Sequence, residues 1–245
     1  NFGGKNQKDD GQLHEIILMS VKGLLYLNMN ITINNQDFIL HQSGAAFWEK
    51  KKILLISDVH LGKVAHFRKH GIGIPNDAIF ENFTRLKLVL DLFNPITIIF
   101  LGDLFHSKMN KEWDLFVEWT KTYSHKIILV EGNHDIISKK YYADLNIEIY
   151  SELLIDDFLL THHPKEEQGY FNFCGHIHPG IQLRGLGKQF LSLSCFFRKP
   201  NQMIFPAFGE FTGNYYLIPT ENDKVYAITK EDVIEVAKLL TYCTY

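Results

Sequence analysis

Five short apolar runs, each ending abruptly where polar residues or glycine begin, constrain this chain more than any other feature. They are Ile53 to Ser57, Ile96 to Leu101, Lys126 to Val130, Phe158 to Thr161 and Tyr170 to Cys174. Runs of this length, rich in β-branched residues and bounded by turn formers, read as strands buried on both faces. Helical periodicity lies between them: Ile79, Phe83, Leu86, Leu90 and Phe93 recur at spacings of four and three, as do Trp113, Phe116, Thr120 and Tyr123. Pro75 and Asn76 are start signals for the first helix. Strands alternating with helices predict an α/β sheet, and from Gln189 onward the chain turns strand-rich. Thr229 with Asp232 resembles a capping box, which predicts a final amphipathic helix over 230–240 with Val233, Val236 and Leu240 on one face.

A length of 245 residues suits one domain with a full core. The polar opening from Asn1 to Gln12 and the absence of an initial Met set residues 1–29 apart as a disordered or cloning-derived extension, with Met19 or Met29 as the natural start. The domain is expected over 30–245. No stretch approaches the roughly 20 apolar residues of a membrane span, and no secretory signal opens the chain. A formal net charge of -3 excludes a protein coated all round with cations for nucleic acid, so any such contact must be local. Cys174, Cys195 and Cys243 fit neither a disulfide framework nor a CxxC metal site, which predicts a reducing cytoplasm.

Metal-competent residues follow every one of the five runs. Asp58 and His60 follow the first, Gly102 and Asp103 the second, and Gly132, Asn133, His134 and Asp135 the third. His162 and His163 follow the fourth, and Gly175, His176 and His178 the fifth. Alone, Asp-x-His is usually a turn, and Gly-Asp is equally weak. Gly-Asn-His-Asp is stronger, because turn chemistry accounts for Gly and Asn but not for His then Asp. Carboxyl ends of strands in an open α/β sheet share one crevice, so residues distant in sequence converge there. Carboxylate, imidazole and amide oxygen without thiolate suit Mn²⁺, Fe²⁺ or Zn²⁺. An Asp can bridge two ions about 3.5–4 Å apart, and Asp103 is the candidate.

This set resembles the calcineurin-like metallophosphoesterase superfamily from about Ile53 to Pro179. The resemblance implies a four-layer αββα sandwich with two divalent ions, Mn²⁺ expected and Fe²⁺, Zn²⁺ or Mg²⁺ as alternatives. It places one ion on Asp58, His60, Asp103 and His178, and the other on Asp103, Asn133, His162 and His176, with His163 an alternative to His162. SDVHLGKVAHFRKHGIGIP at Ser57 to Pro75, GDLFHS at Gly102 to Ser107, GHIHPG at Gly175 to Gly180 and PAFGEFTG at Pro206 to Gly213 are similar to the ligase-associated DNA-damage-response endonucleases of PdeM type. That closer resemblance implies a DNA-cutting phosphodiesterase acting with a DNA ligase and a helicase.

His134, beside Asn133, is the expected general acid for the leaving oxygen, with Asp135 either orienting that ring or capping its turn. Lys63, Arg68 and Lys69 form a local basic stretch in which Arg68 is suited to grip phosphate, with Lys63 in support. His106 and His163 are expected beside the ligands or the substrate. Two other readings compete. Hydrolysis of a small phosphorylated metabolite fits the modest charge, and a protein-binding scaffold on the same fold predicts eroded ligands, whereas every expected one is present.

Overall fold

The computed structural model describes residues 28–64, 78–106, 108–184, 189–210 and 212–236. The chain opens with an antiparallel meander of β1 (Asn28–Ile33), β2 (Gln36–His41), β3 (Ala46–Trp48) and β4 (Ile53–Ile56). Helix α1 (Ala78–Phe93) then leads into β5 (Thr97–Phe100), α2 (Lys111–Thr122), β6 (Lys126–Val130), α3 (Lys139–Ala143) and β7 (Glu148–Tyr150). Strands β4 to β7 pair in parallel, so the first sheet has seven strands in sequence order. A second sheet comprises β8 (Leu153–Ile155), β9 (Phe158–Leu160), β10 (Phe171–Cys174), β11 (Pro179–Arg184), β12 (Phe190–Lys199), β13 (Gln202–Ile204), β14 (Tyr215–Tyr216), β15 (Lys224–Ile228) and β16 (Val233–Glu235).

Unbroken apolar runs give strands buried on both sides. In β4, Leu54 and Ile56 pack toward the helices, whereas Ile53 and Leu55 pack toward the second sheet. Helix α1 buries Leu86, Val89 and Leu90 against that first core, and α2 adds Trp113, Phe116 and Trp119. Asn110 caps α2 by accepting the Glu112 N–H at 2.8 Å. The inter-sheet core is aromatic: Phe38 of β2 meets Phe158 and Phe173 edge-on, at 5.4 and 5.1 Å between ring centroids. The outer face of the second sheet buries Cys174, Ile181, Cys195, Phe197, Ile204, Val225 and Ala227. The described helices lie on the first sheet, giving an α/β sandwich of two mixed sheets flanked by helices.

One element differs from expectation. The predicted helix over 230–240 begins instead as the strand β16, which pairs antiparallel with β15. Thr229 Oγ1 does accept the Asp232 N–H at 2.9 Å, as a capping box requires. However, Thr229 N–H donates to Asp232 O at 2.8 Å, and that reciprocal bond closes a hairpin turn. Apolar Val233 and Val236 then dock on the second sheet as extended chain. Leu240 lies outside the described residues, as do Pro75 and Asn76.

Candidate metal centre

All five groups singled out in the sequence meet at one end of the sandwich. Parallel pairing continues past the formal ends of β4 and β5, because Asp58 N–H donates to Gly102 O at 3.2 Å and His60 N–H to Asp103 O at 2.9 Å. On the second sheet, Gly175 N–H donates to His162 O at 3.0 Å. The sheets are joined across the centre by Phe208 N–H and Gly209 N–H, which donate to Ser57 O at 2.9 Å and Asp58 O at 3.0 Å. Asp58, His60, Asp103, His176 and His178 all have left-handed backbones, with φ of 53°, 51°, 50°, 67° and 51°. Each such residue costs on the order of 1 kcal/mol relative to ordinary backbone. That cost turns their side chains off the strand direction and into a common space.

Among the described residues, three sets have ligand atoms that lie within 4.8 Å of one another: Asp58, His60 and His178; Asp58, Asp103 and His162; and His162, His163 and His176. Asp58 therefore joins the first set to the second, and His162 joins the second to the third. Asp58 and Asp103 are both buried, and each spends one oxygen on the protein. Asp58 Oδ2 accepts from Ser57 Oγ at 2.5 Å and from His176 N–H at 3.0 Å, and Asp103 Oδ1 accepts from His134 N–H at 2.8 Å. The other oxygens face imidazoles: Asp58 Oδ1 is 3.1 Å from His178 Nε2, and Asp103 Oδ2 is 3.5 Å from His162 Nε2.

The donor set fits divalent cations. His162 Nδ1 lies 3.0 Å from Leu101 O, a pure acceptor, so that nitrogen carries hydrogen. Its Nε2 points at Asn133 Oδ1 at 3.0 Å, His176 Nδ1 at 3.2 Å and Asp103 Oδ2. Ligand atoms converging on one nitrogen are the arrangement a cation satisfies, and a carbonyl behind the ring is the usual support for a ligating histidine. His60 Nε2 and His178 Nε2 face each other at 3.4 Å, a second convergence of the same kind. His162 is buried and belongs to two of these sets, whereas His163 is exposed and belongs only to the set with His162 and His176. The geometry thus favours His162 over its neighbour.

Electrostatics follow from this crowding. Burial alone would raise the pKa of Asp103, but His162 and the His134 N–H hold it down at about 2. Burial likewise works against ionised Asp58, yet His178, His162 and Ser57 bring its pKa below the ordinary value. Burial pushes His60 down to about 3, so its ring is neutral and able to ligate. His162 is raised because the two aspartates outweigh its burial. The pKa of His176 is lowered, by burial and by the neighbouring histidines. Gly175 leaves room for this packing, since a Cβ there would run into Ser57 Oγ and Asp58 Oδ2.

Asp135 has a different place from the one that orients His134. Its Oδ2 accepts the Asp103 and Gly132 N–H groups at 2.8 and 2.9 Å, and its Oδ1 accepts that of Phe105 at 3.1 Å. It therefore ties the turn after β5 to the turn after β6. Burial pushes its pKa up to about 7 against those three donors. His134 is half-buried, with its ring centroid 5.7 Å from His60 and 4.9 Å from His106. His106 itself stands 5.4 Å from His60. Lys63 Nζ donates to Thr212 Oγ1 at 3.1 Å, and burial lowers its pKa against the pull of Asp58 and Asp103. Arg68 lies outside the described residues.

Several supporting groups escape sequence reasoning. Glu112 is buried and accepts the Gly62 N–H at 2.6 Å, pinning the loop after His60. Asn82 donates to Val59 O at 3.3 Å and accepts the Glu210 N–H at 3.1 Å. Arg85 donates to Phe208 O at 2.6 Å and pairs with Glu210. The one sequence signal was Asn82 itself, a polar residue on the apolar face of α1.

The profile of the calcineurin-like phosphoesterase family matches residues 51–199. Among solved structures, the Pseudomonas putida nuclease MPE superposes with a TM-score of 0.70 at 26% identity, covering 85% of this chain and 100% of that one. A protein of unknown function from Aquifex aeolicus aligns at 20% identity over 51% of this chain and 78% of its own, with a TM-score of 0.39. No curated protein sequence matches significantly. Every clustered aspartate and histidine lies within the matched span, and the chain belongs to the calcineurin-like phosphoesterase family of metal-dependent enzymes.

Proposed function

We propose that this chain is a two-metal phosphodiesterase that cuts nucleic acid, with DNA as substrate and Mn²⁺ as its ion. The observation that carries the reading is the chain of ligand sets linked through Asp58 and His162, which offers more donors than one ion takes. Asp58, His60, Asp103 and His178 would hold one ion; Asp103, Asn133, His162 and His176 would hold the other. Two bound divalent cations supply charge neutralisation at the phosphate and acidify the attacking water.

The residues of the chain do the rest. Leu101 O fixes the His162 tautomer, and the His176 N–H and Ser57 hydroxyl fix the Asp58 carboxylate. Asp135 is a positioning residue, holding the Asp103 and Asn133 turns together through the backbone. His134 stands at the edge of the cluster, where its imidazole delivers a proton to the leaving oxygen. Lys63 places a cation beside the aspartates. Nucleic acid as substrate rests on the likeness to the Pseudomonas putida nuclease and to the PdeM-type endonucleases. The resemblance to the latter also supports a role in DNA repair alongside a ligase and a helicase, in the cytoplasm.

The test compares a fluorescent single-stranded oligonucleotide with small phosphodiesters and monoesters. Oligonucleotide turnover that falls steeply with salt is expected. Turnover confined to small esters would instead establish the metabolite hydrolase that the net charge of -3 favours. His134→Gln should retain metal and lose about a hundredfold or more in turnover. Asp103→Ala should lose metal and activity together, and full occupancy in that variant would remove Asp103 from the ligand set.

A further inference from the structure

The second sheet carries an exposed strip that starts at the candidate metal centre. Pro179, directly after His178, opens β11, and Tyr215 N–H donates to His178 O at 2.9 Å, so β14 is hung on the ligand loop itself. Alternation along β11 puts Gly180, Gln182 and Arg184 on one face. Their antiparallel partners on β12 are Ser194, Ser192 and Phe190, and Tyr216 of β14 pairs with Gly180. Gly180 has no side chain, and the Tyr216 ring occupies the space above it, 3.1 Å from where a Cβ would stand.

This face is unusual in what it leaves in solvent. Phe190 is 62% exposed and Tyr216 is 44% exposed. Arg184 stacks on Phe190 with its guanidinium carbon 5.9 Å from the ring centroid. Between the two aromatics stand Gln182, Ser192 and Ser194, and none of the described residues paired on this face is a carboxylate. The span from Gly180 to Arg184 is about 13 Å. A polar cavity of about 550 Å³ opens beside it, and Ser192, Ser194 and Asn214 belong to its wall.

We propose that this strip binds the unpaired nucleotides flanking the scissile phosphate, with bases stacked on Tyr216 and Phe190 and a backbone phosphate held by Arg184. The inference rests on the nucleic-acid reading above and adds a binding surface to it. Aromatic rings in a cationic, hydroxyl-lined track suit single strands because unpaired bases offer their faces, whereas duplex bases are already stacked. Direct continuity with the His178 loop brings a strand lying on the strip to the metal centre. A second copy of this chain would gain little from a face whose middle is serine and glutamine.

The experiment measures KM and kcat of the Mn²⁺-loaded enzyme on a single-stranded oligonucleotide. Tyr216→Ala and Phe190→Ala should each raise KM about tenfold, the scale of one lost base-stacking contact, with kcat within about twofold. Tyr216→Phe should restore KM, because the ring is retained. Arg184→Gln should lower the slope of log affinity against log salt by about one. If the wild type cleaves oligonucleotides but these variants keep its KM, the strip is overturned and the nucleic-acid reading stands, whatever happens to the oligomeric state. If the wild type hydrolyses only small diesters, the nucleic-acid reading itself has failed. A fall in kcat at constant KM also overturns the strip, since it places these residues in support of the metal centre.

Discussion

Replacing Asp135 by alanine separates a carboxylate that holds the centre together from one that serves His134. The change strands three backbone donors, those of Asp103, Gly132 and Phe105, at a position only 8% exposed. Hydrogen bonds to a charged group contribute about 1.5–3 kcal/mol each. Alanine also removes the several-kcal/mol cost of burying a carboxylate, and water can enter the vacated space. The difference leaves a net loss of about 3 kcal/mol, a large share of the roughly 5–15 kcal/mol that holds a domain folded. Asp135→Asn should cost less, about 1–2 kcal/mol, because its oxygen can keep the two N–H groups at the Oδ2 position while its amide opposes only Phe105. Urea unfolding in EDTA measures these values free of metal. Titration calorimetry should show Mn²⁺ affinity falling about 10- to 100-fold, as when the support of a ligand is lost. Unfolding within about 1 kcal/mol of wild type, combined with collapsed turnover, would refute the positioning role and return Asp135 to the chemistry.

Three further outcomes follow from the same contacts. Removing metal with EDTA should lower Tm by about 5–10 °C, reversibly on adding Mn²⁺, and an unchanged Tm would exclude tight occupancy of the centre. Gly175→Ala should lose metal binding, because its Cβ collides with Ser57 and Asp58; normal occupancy in a metal assay would show that the loop can yield. His41 is buried, accepts the Ser43 N–H on Nδ1 at 3.1 Å, and is lowered from 6.5 to about 4, first by burial and then by Arg85. The unfolded chain therefore takes up a proton that the folded chain refuses between those values. Stability from this group is complete above pH 6.5 and falls on acidification, by about 2 kcal/mol at pH 5. His41→Gln should flatten the acid limb of a urea-unfolding series by that amount, and an unaltered limb would assign the loss to other groups.

The sequence revealed those parts of the fold in which one residue pattern admits one structure. The stretches Ile53–Ile56 and Ile127–Val130 are apolar throughout and read as strands covered on both faces, and both stand where expected. Strand β1 begins at Asn28, inside the expected extension over 1–29, and its alternating polar and apolar residues pair antiparallel with β2. The region around Thr229 failed for a definite reason. A hydroxyl accepting an N–H three residues on is common to helix caps and hairpin turns, and tertiary pairing with β15 decided between them. At the centre, the clustering of aspartates and histidines was legible because Asp and His after several successive strands have few other joint explanations.

The left-handed backbones connect these observations to function. Five candidate ligands adopt φ values that favour glycine, yet glycine has no donor atom, so each position gives up local stability to present a side chain. Summed, the cost is on the order of 5 kcal/mol. Part of it is offset by the bonds from Asp58 and His60 N–H to the strand-like chain after β5, and from Gly209 N–H to Asp58 O. Those bonds join protein atoms alone and need no cation, so they can array the ligands before one arrives. What the protein leaves unrelieved is the remaining backbone cost and the approach of His60 Nε2 to His178 Nε2 at 3.4 Å. Cation binding is where that energy is recovered, so the same residues that make the site ready should also make the folded protein depend on its ions.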